Sequence, residues 1–189
     1  MFNRSQREKP QRPPPDETSL REAAANYLAR YASSENGLRQ ILFRRIDKWA
    51  REAADRDTAA ERAAAAKAVV PNVVARMVEL GLVNDAAFAE SRAAGLARSG
   101  RSRRAISAGL VAKGIDPEQA RAFLPEDELA SALILARKRR LGPFRRTEEG
   151  DRNKEMGVMA RAGFPRDVAA RALDMSPEAA EDAIREART

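Results

Sequence analysis

Apolar residues in this chain recur at the three- and four-residue spacing of helices, punctuated by residues that start and stop them. The clearest stretch is 103–124, RRAISAGLVAKGIDPEQARAFL. Ser102 can cap a helix whose apolar face is Ile106, Leu110 and Val111, and Gly114 can take the left-handed geometry that ends it. Ile115 packs the corner. Asp116 caps the next helix, Pro117 suits its first position because no N–H is needed there, and Gln119 sits three residues past the cap.

The rest of the chain repeats this pattern. Residues 1–18, with Pro10, Pro13, Pro14 and Pro15 among basic and polar neighbours, read as a disordered Pro-rich basic tail. Ser19 and Glu22 make a capping box for a helix to about Ala32 that carries Leu20, Ala24, Tyr27, Leu28 and Tyr31. Ser33 or Ser34 starts a second helix with Leu38, Ile41, Leu42, Ile46 and Trp49 at helical spacing, to about Ala54. Thr58 and Glu61 offer another capping box over an alanine-rich stretch. Pro71 either kinks that helix or sits in the first turn of a new one, which stops at Gly81. Asn84 or Asp85 then caps a helix with Phe88, Ala89, Arg92 and Leu96 that stops near Gly100.

Past Pro125, a helix with Leu129, Leu133, Ile134 and Ala136 inward ends on cations and is broken by Gly142 and Pro143, with a loop from Phe144 to Asp151. Met156 and Met159, a stop at Gly163, Phe164 as the corner and Pro165 in the next first turn follow. Glycines 114 and 163 stand 49 residues apart, each with an apolar residue four before, one after and ten after. A divergent earlier copy has Ile46 where glycine would stand, and a longer insert. The reading is an all-α fold of three tandem three-helix repeats: 19–83 with the insert, 84–125 and 126–175, then a short C-terminal helix over 176–189. Single modules of this size are marginal alone, so stacking is expected to supply stability and to give an elongated, curved array.

Composition narrows the chemistry. Cysteine and histidine are both absent from the 189 residues, which removes disulfides, Cys or His metal sites and every histidine-based triad. No glycine-rich phosphate loop and no metal-carboxylate cluster occurs, so neither catalytic residues, cofactor nor metal are expected, and the chain does not read as an enzyme. No apolar run approaches the ~20 residues of a membrane span and no signal peptide is evident, which makes a cytoplasmic monomer the expectation. Formal net charge is +7. Residues 86–146 hold 13 Lys and Arg against 6 Asp and Glu, whereas the remaining chain holds 22 of each. A positive field so localised suits nucleic acid, or an acidic face on a protein.

Three cationic clusters carry that field. In Arg137, Lys138, Arg139 and Arg140, four consecutive helical positions about 100° apart cover most of a circumference, so they cannot all face solvent on a fully packed helix. Arg145 and Arg146 extend the run past the break, and Phe144, between Pro143 and Arg145, is placed for stacking or anchoring a partner. Arg98, Arg101, Arg103 and Arg104 flank the helix start at Ser102, where free N–H groups attract phosphate or carboxylate, and Lys113 joins them as a candidate contact. Arg39, Arg44 and Arg45 form a weaker third cluster. The other aromatics fall on apolar faces or corners and are expected in the core.

The blocks LRQILFRRI, VELGLVNDAAFAESRAAGLARSG, RRAISAGLVAKGID and, most specifically, ALILARKRRLGPF resemble the RecX family, regulatory proteins of the bacterial RecA recombinase, over about residues 20–175. The resemblance implies three tandem three-helix repeats, binding along the groove of the RecA–DNA filament across neighbouring protomers, and inhibition of its ATP hydrolysis and strand exchange in recombination, DNA repair and the SOS response. It also implies binding to single- or double-stranded DNA without sequence preference. Ile46 stands where family members usually have a glycine, and the segment 47–67 is longer than in compact members. The rival expectation is a sequence-nonspecific DNA-binding helical protein that acts directly on DNA.

Overall fold

The structure, a computed structural model, describes residues 13–146 and 150–187. Most of the tail expected over 1–18, three residues of the loop after Phe144 and the last two of the C-terminal segment lie outside the described residues. All regular structure among the described residues is helical, and the chain divides into two compact units, 1–84 and 85–189. No described helix is long and apolar enough to cross a membrane.

The first unit is built on α1 (Glu17–Leu28), α2 (Glu35–Glu52) and α3 (Arg56–Glu79). Leu20 and Ala24 from α1 meet Leu38, Leu42 and Ile46 from α2 and Val70, Val73, Val74 and Met77 from α3 in one core. Each large side chain so buried contributes about 1.5–3 kcal/mol. Two helix starts fall three residues earlier than the sequence suggests. Asp16, rather than Ser19, caps α1: its carboxylate accepts the Ser19 N–H at 2.8 Å, and the Ser19 hydroxyl accepts the Asp16 N–H in return. Likewise Asp55 accepts from the backbone N–H and hydroxyl of Thr58. In both cases a carboxylate faces the positive helix end, where it gains from the dipole as well as the hydrogen bond.

The insert over 47–67 is no loop. α3 runs unbroken through an exposed Pro71, and Ala59, Ala63 and Ala66 form its buried stripe. The insert thus lengthens two helices into a hairpin, and the Lys67 ammonium meets the Asp47 carboxylate at 2.6 Å near its base. α1 ends at Leu28, short of Ala32, so Tyr31 leaves the core stripe and stands 58% exposed.

The second unit holds two helix trios. The first is α4 (Asp85–Arg98), α5 (Arg103–Val111) and α6 (Pro117–Ala122), around Ala89, Ala93, Ile106, Leu110, Ile115 and Ala120. Val111, expected on that face, is 40% exposed because it lies one helical step beyond Leu110. The second trio is α7 (Leu129–Arg139), α8 (Arg152–Arg161) and α9 (Arg166–Asp174), with a short 3-10 helix at Gly142–Phe144. The C-terminal helix α10 (Pro177–Glu186) is set apart in the sequence reading, yet it buries Ala180 and Ile184 in the same core as Leu133, Met159 and Leu173.

Four helices stop in one way. At the end of α8 the Gly163 N–H bonds the Ala160 carbonyl at 2.9 Å and the Phe164 N–H bonds the Met159 carbonyl at 3.1 Å, with Gly163 at φ 90°. Gly81, Gly100 and Gly114 repeat this left-handed motif at α3, α4 and α5, and an apolar residue then turns into the core after three of the four stops: Val83, Ile115 and Phe164.

The two trios of the second unit are joined through these stops. A Cβ at Gly100 would lie 2.9 Å from the Leu135 nitrogen, so only glycine lets the end of α4 sit against α7. The Ser131 hydroxyl donates to the Ala97 carbonyl at 3.1 Å. Fully buried Ser102 accepts the Ala105 N–H as the α5 cap and donates to the Ala162 carbonyl at 2.8 Å. One hydroxyl therefore caps a helix and ties it to the corner of the next trio. Ser102→Ala is expected to lower stability by about 1–3 kcal/mol, because it orphans buried groups on both sides, whereas Ser176→Ala, at the exposed α10 cap, should cost about 1 kcal/mol or less. Urea denaturation of the two variants checks the difference.

Candidate functional site

The cationic run lies where α7 leaves the core. Ala132, Leu133, Ile134 and Ala136 are buried, so the next positions sweep around the end of an anchored helix. They divide. The Arg137 guanidinium pairs with Glu181 of α10 at 2.9 Å, and the Lys138 ammonium donates to the Ser99 carbonyl at the end of α4 at 2.8 Å. Arg139 and Arg140 are exposed and have no polar partner among the described residues. Three helical positions rather than the expected four round this end, because Arg140 leaves the helix as its left-handed cap; Arg137 is half-buried against Glu181, and Lys138, Arg139 and Arg140 are exposed.

Past the break, two expected contacts belong to the interior. Arg145 grips Glu155, its Nε 2.6 Å from one carboxylate oxygen and a terminal nitrogen on the other, and the Gly142 N–H donates to the same carboxylate at 3.3 Å. Glu155 is 6% exposed. A carboxylate so buried needs charged donors, and Arg145 is held to supply them rather than to meet a partner. Phe144, expected to stack or anchor, is half-buried and packs on the core of the third trio. Arg146 is exposed and bonds to nothing among the described residues.

The α5 start also differs from expectation. The anion its N–H groups attract comes from the chain itself: Glu128, 5% exposed at the start of α7, accepts the Arg103 N–H at 2.7 Å. The Arg103 side chain turns to the Glu126 carbonyl at 3.3 Å. No external phosphate is needed at that helix end. Arg98, Arg101 and Arg104 remain exposed without a polar partner among the described residues, and Lys113 is exposed beyond the end of α5. Because Lys138 bonds Ser99, the α7 end is brought to the corner that carries Arg98 and Arg101.

Arg39 is half-buried on α2, and Arg44 and Arg45 are exposed there. They belong to the first unit. Arg45 lines an open groove of about 490 Å3 between α1 and α2, with Asn26, Tyr27, Arg30 and Tyr31. The Tyr27 and Tyr31 rings stand 5.2 Å apart. Sequence reasoning placed both in the core and missed this groove. The signal available was that Tyr31 precedes Ser33 and Ser34 too closely for the helix to include it. Among the described residues no group of acidic side chains could hold a metal ion.

A protein of Myxococcus xanthus named regulatory protein RecX is 39% identical over 168 residues, which span 85% of this chain and 87% of that protein. The chain belongs to the RecX family. The family's second three-helix domain matches residues 84–124, the α4–α6 trio with Arg98, Arg101 and Arg104. A RecX regulatory protein of Thermobifida fusca is 33% identical over 149 residues, 75% of this chain and 79% of its own. One from Agrobacterium fabrum is 39% identical over 108 residues, 56% of this chain and 59% of its own. The crystal structure of RecX from Lactobacillus salivarius superposes with a TM-score of 0.57 at 20% identity, covering 84% of this chain and 96% of that one, so the two share a fold.

Within this RecX fold the Glu155 clamp fixes the segment that follows the α7 cations. Hydrogen bonding from Arg145 holds the Glu155 carboxyl below the usual glutamate range despite burial, and the Gly142 N–H acts in the same direction. A carboxylate whose folded pKa is depressed adds stability above its unfolded value, about 4.3, and loses it as pH falls through the folded value. Glu155→Gln should therefore lower stability at pH 7 by about 1–3 kcal/mol. The gap to wild type should close on acidification below about pH 4, which urea midpoints measured across that range would check.

Proposed function

We propose that this protein regulates the RecA recombinase by binding in the groove of the RecA–DNA filament, where it slows ATP hydrolysis and strand exchange during recombinational repair in the cytoplasm. One observation carries the assignment of contacts. Within the two predicted clusters of the second unit the cations sort into those with internal partners and those without, and Arg98, Arg101, Arg104, Arg139, Arg140 and Arg146 are exposed without one among the described residues. Desolvating an arginine that already has a carboxylate gains little, whereas an unpaired one can meet phosphate or an acidic protein surface. Family membership supports the partner, since the relatives are named as regulatory proteins. The protein acts by binding, as a monomer, and no chemistry of its own is required.

A nucleoprotein filament offers both phosphate and protein carboxylates along one groove, and several modest contacts on one chain add through high effective concentration. DNA alone would be bound without sequence preference and with steep salt dependence. The deciding measurement is DNA-dependent ATPase of preformed RecA filaments with substoichiometric protein. Inhibition that persists in excess DNA fits filament binding; inhibition that disappears fits direct competition for DNA. Combined Arg101→Glu, Arg104→Glu and Arg139→Glu should raise the half-inhibitory concentration about tenfold or more with the helical content unchanged, since a loss of about 1.4 kcal/mol already gives that factor. Unchanged inhibition would remove this surface from the contact.

A further inference from the structure

α7 ends with the same hydrogen bonds as the four glycine stops, but the residue in the left-handed position is Arg140. Its N–H bonds the Arg137 carbonyl at 3.2 Å, the Leu141 N–H bonds the Ala136 carbonyl at 2.9 Å, and φ is 57°. No other non-glycine residue among the described residues has a positive φ. A side chain there crowds its own backbone, which is why glycine holds the position elsewhere.

Nothing within the described chain offsets this strain. The Arg140 side chain is exposed, and its guanidinium bonds to no described residue. Favourable charge at the negative helix end does not explain it either, since Arg137, Lys138 and Arg139 already occupy that turn. The backbone around it is over-determined. Leu141 packs on the core, a Cβ at Gly142 would lie 2.7 Å from the Leu173 backbone, and the Gly142 N–H is held by Glu155. Strain maintained by such surroundings marks functional positions.

We propose that Arg140 is kept in place of a stabilising glycine because its guanidinium, projecting from a fixed corner beside Arg139, is a contact for a nucleic-acid phosphate. Phosphate is favoured because two consecutive unpaired cations suit a polyanion, while Glu155 and Asp174 of the same trio and Glu181 of α10 are each already joined to an arginine. The inference rests on the reading of this face as the one that meets an anionic partner, but its test contains no RecA.

Full-length wild type, Arg140→Gly and Arg140→Lys are compared by thermal unfolding and by anisotropy of a fluorescent single-stranded oligonucleotide across a salt series. Arg140→Gly should melt about 4 °C or more higher, yet bind DNA about 3- to 10-fold more weakly, with the slope of log affinity against log salt shallower by about 0.7. Arg140→Lys should melt near wild type and keep the slope. A glycine variant that gains no thermal stability overturns the strain argument. One that gains it while DNA affinity and slope stay unchanged overturns the phosphate contact. Should the charge-reversal triple leave RecA inhibition intact, the filament reading fails while the oligonucleotide result still decides this one.

Discussion

The left-handed helix stop is the constraint on which the second unit depends. α5 and α8 have 9 and 10 residues, too short to persist alone in water, so each must reverse and bury its apolar stripe within a few residues. A stop closed by two backbone hydrogen bonds satisfies the last carbonyls and aims the following residue inward, where Ile115 and Phe164 are buried. Corner and core are thus one device. Gly100 is the exception, since the residue after it is the exposed Arg101. That corner is pinned by packing on α7 instead, which joins the trios and leaves a cation facing outward.

Two buried carboxylates organise the charges around these corners. Glu128 accepts a backbone N–H of α5 from the start of α7, and Glu155 collects Arg145 and the Gly142 N–H. Removing a carboxylate from water is costly, and each is tolerated because donors meet its oxygens in fixed geometry. Their effect is to sort the basic residues. Arg103 and Arg145 become parts of the framework, and Arg137 and Lys138 tie α7 to α10 and α4. The surplus visible in the composition then rests on fewer side chains than the sequence count suggests.

Helix stops and most caps were legible because each depends on one residue's own chemistry: glycine at 81, 114 and 163, and Ser34, Ser102 and Asp116 at starts. Asp16 and Asp55 were passed over because a serine or threonine with a following glutamate imitates the same box three residues later. Continuity through Pro71 could not be read, since proline serves equally in a first turn or on the exposed side of a long helix. The pairing of cations was hidden for another reason. Arg137 meets Glu181 across 44 residues, and the Arg103 N–H meets Glu128 across 25, so the partners are set by packing that no local spacing encodes. The family blocks conveyed the fold for the same reason that they left the contacts open: they record corners and cores.

Position on the framework separates the remaining arginines. Arg98 and Arg101 bracket the Gly100 corner, Arg104 lies against the Gly163 corner with its Cβ 3.5 Å from where a side chain there would begin, and Arg140 is itself a corner. Corners are the points at which backbone torsions, hydrogen bonds and core packing agree, so a side chain rooted there loses less freedom on meeting a ligand than one on a fraying helix end. A surface built in this way gains affinity from fixed geometry rather than from the number of its charges. Short helices and frequent stops, which leave each trio weak alone, therefore supply a dense set of rigid attachment points for cations.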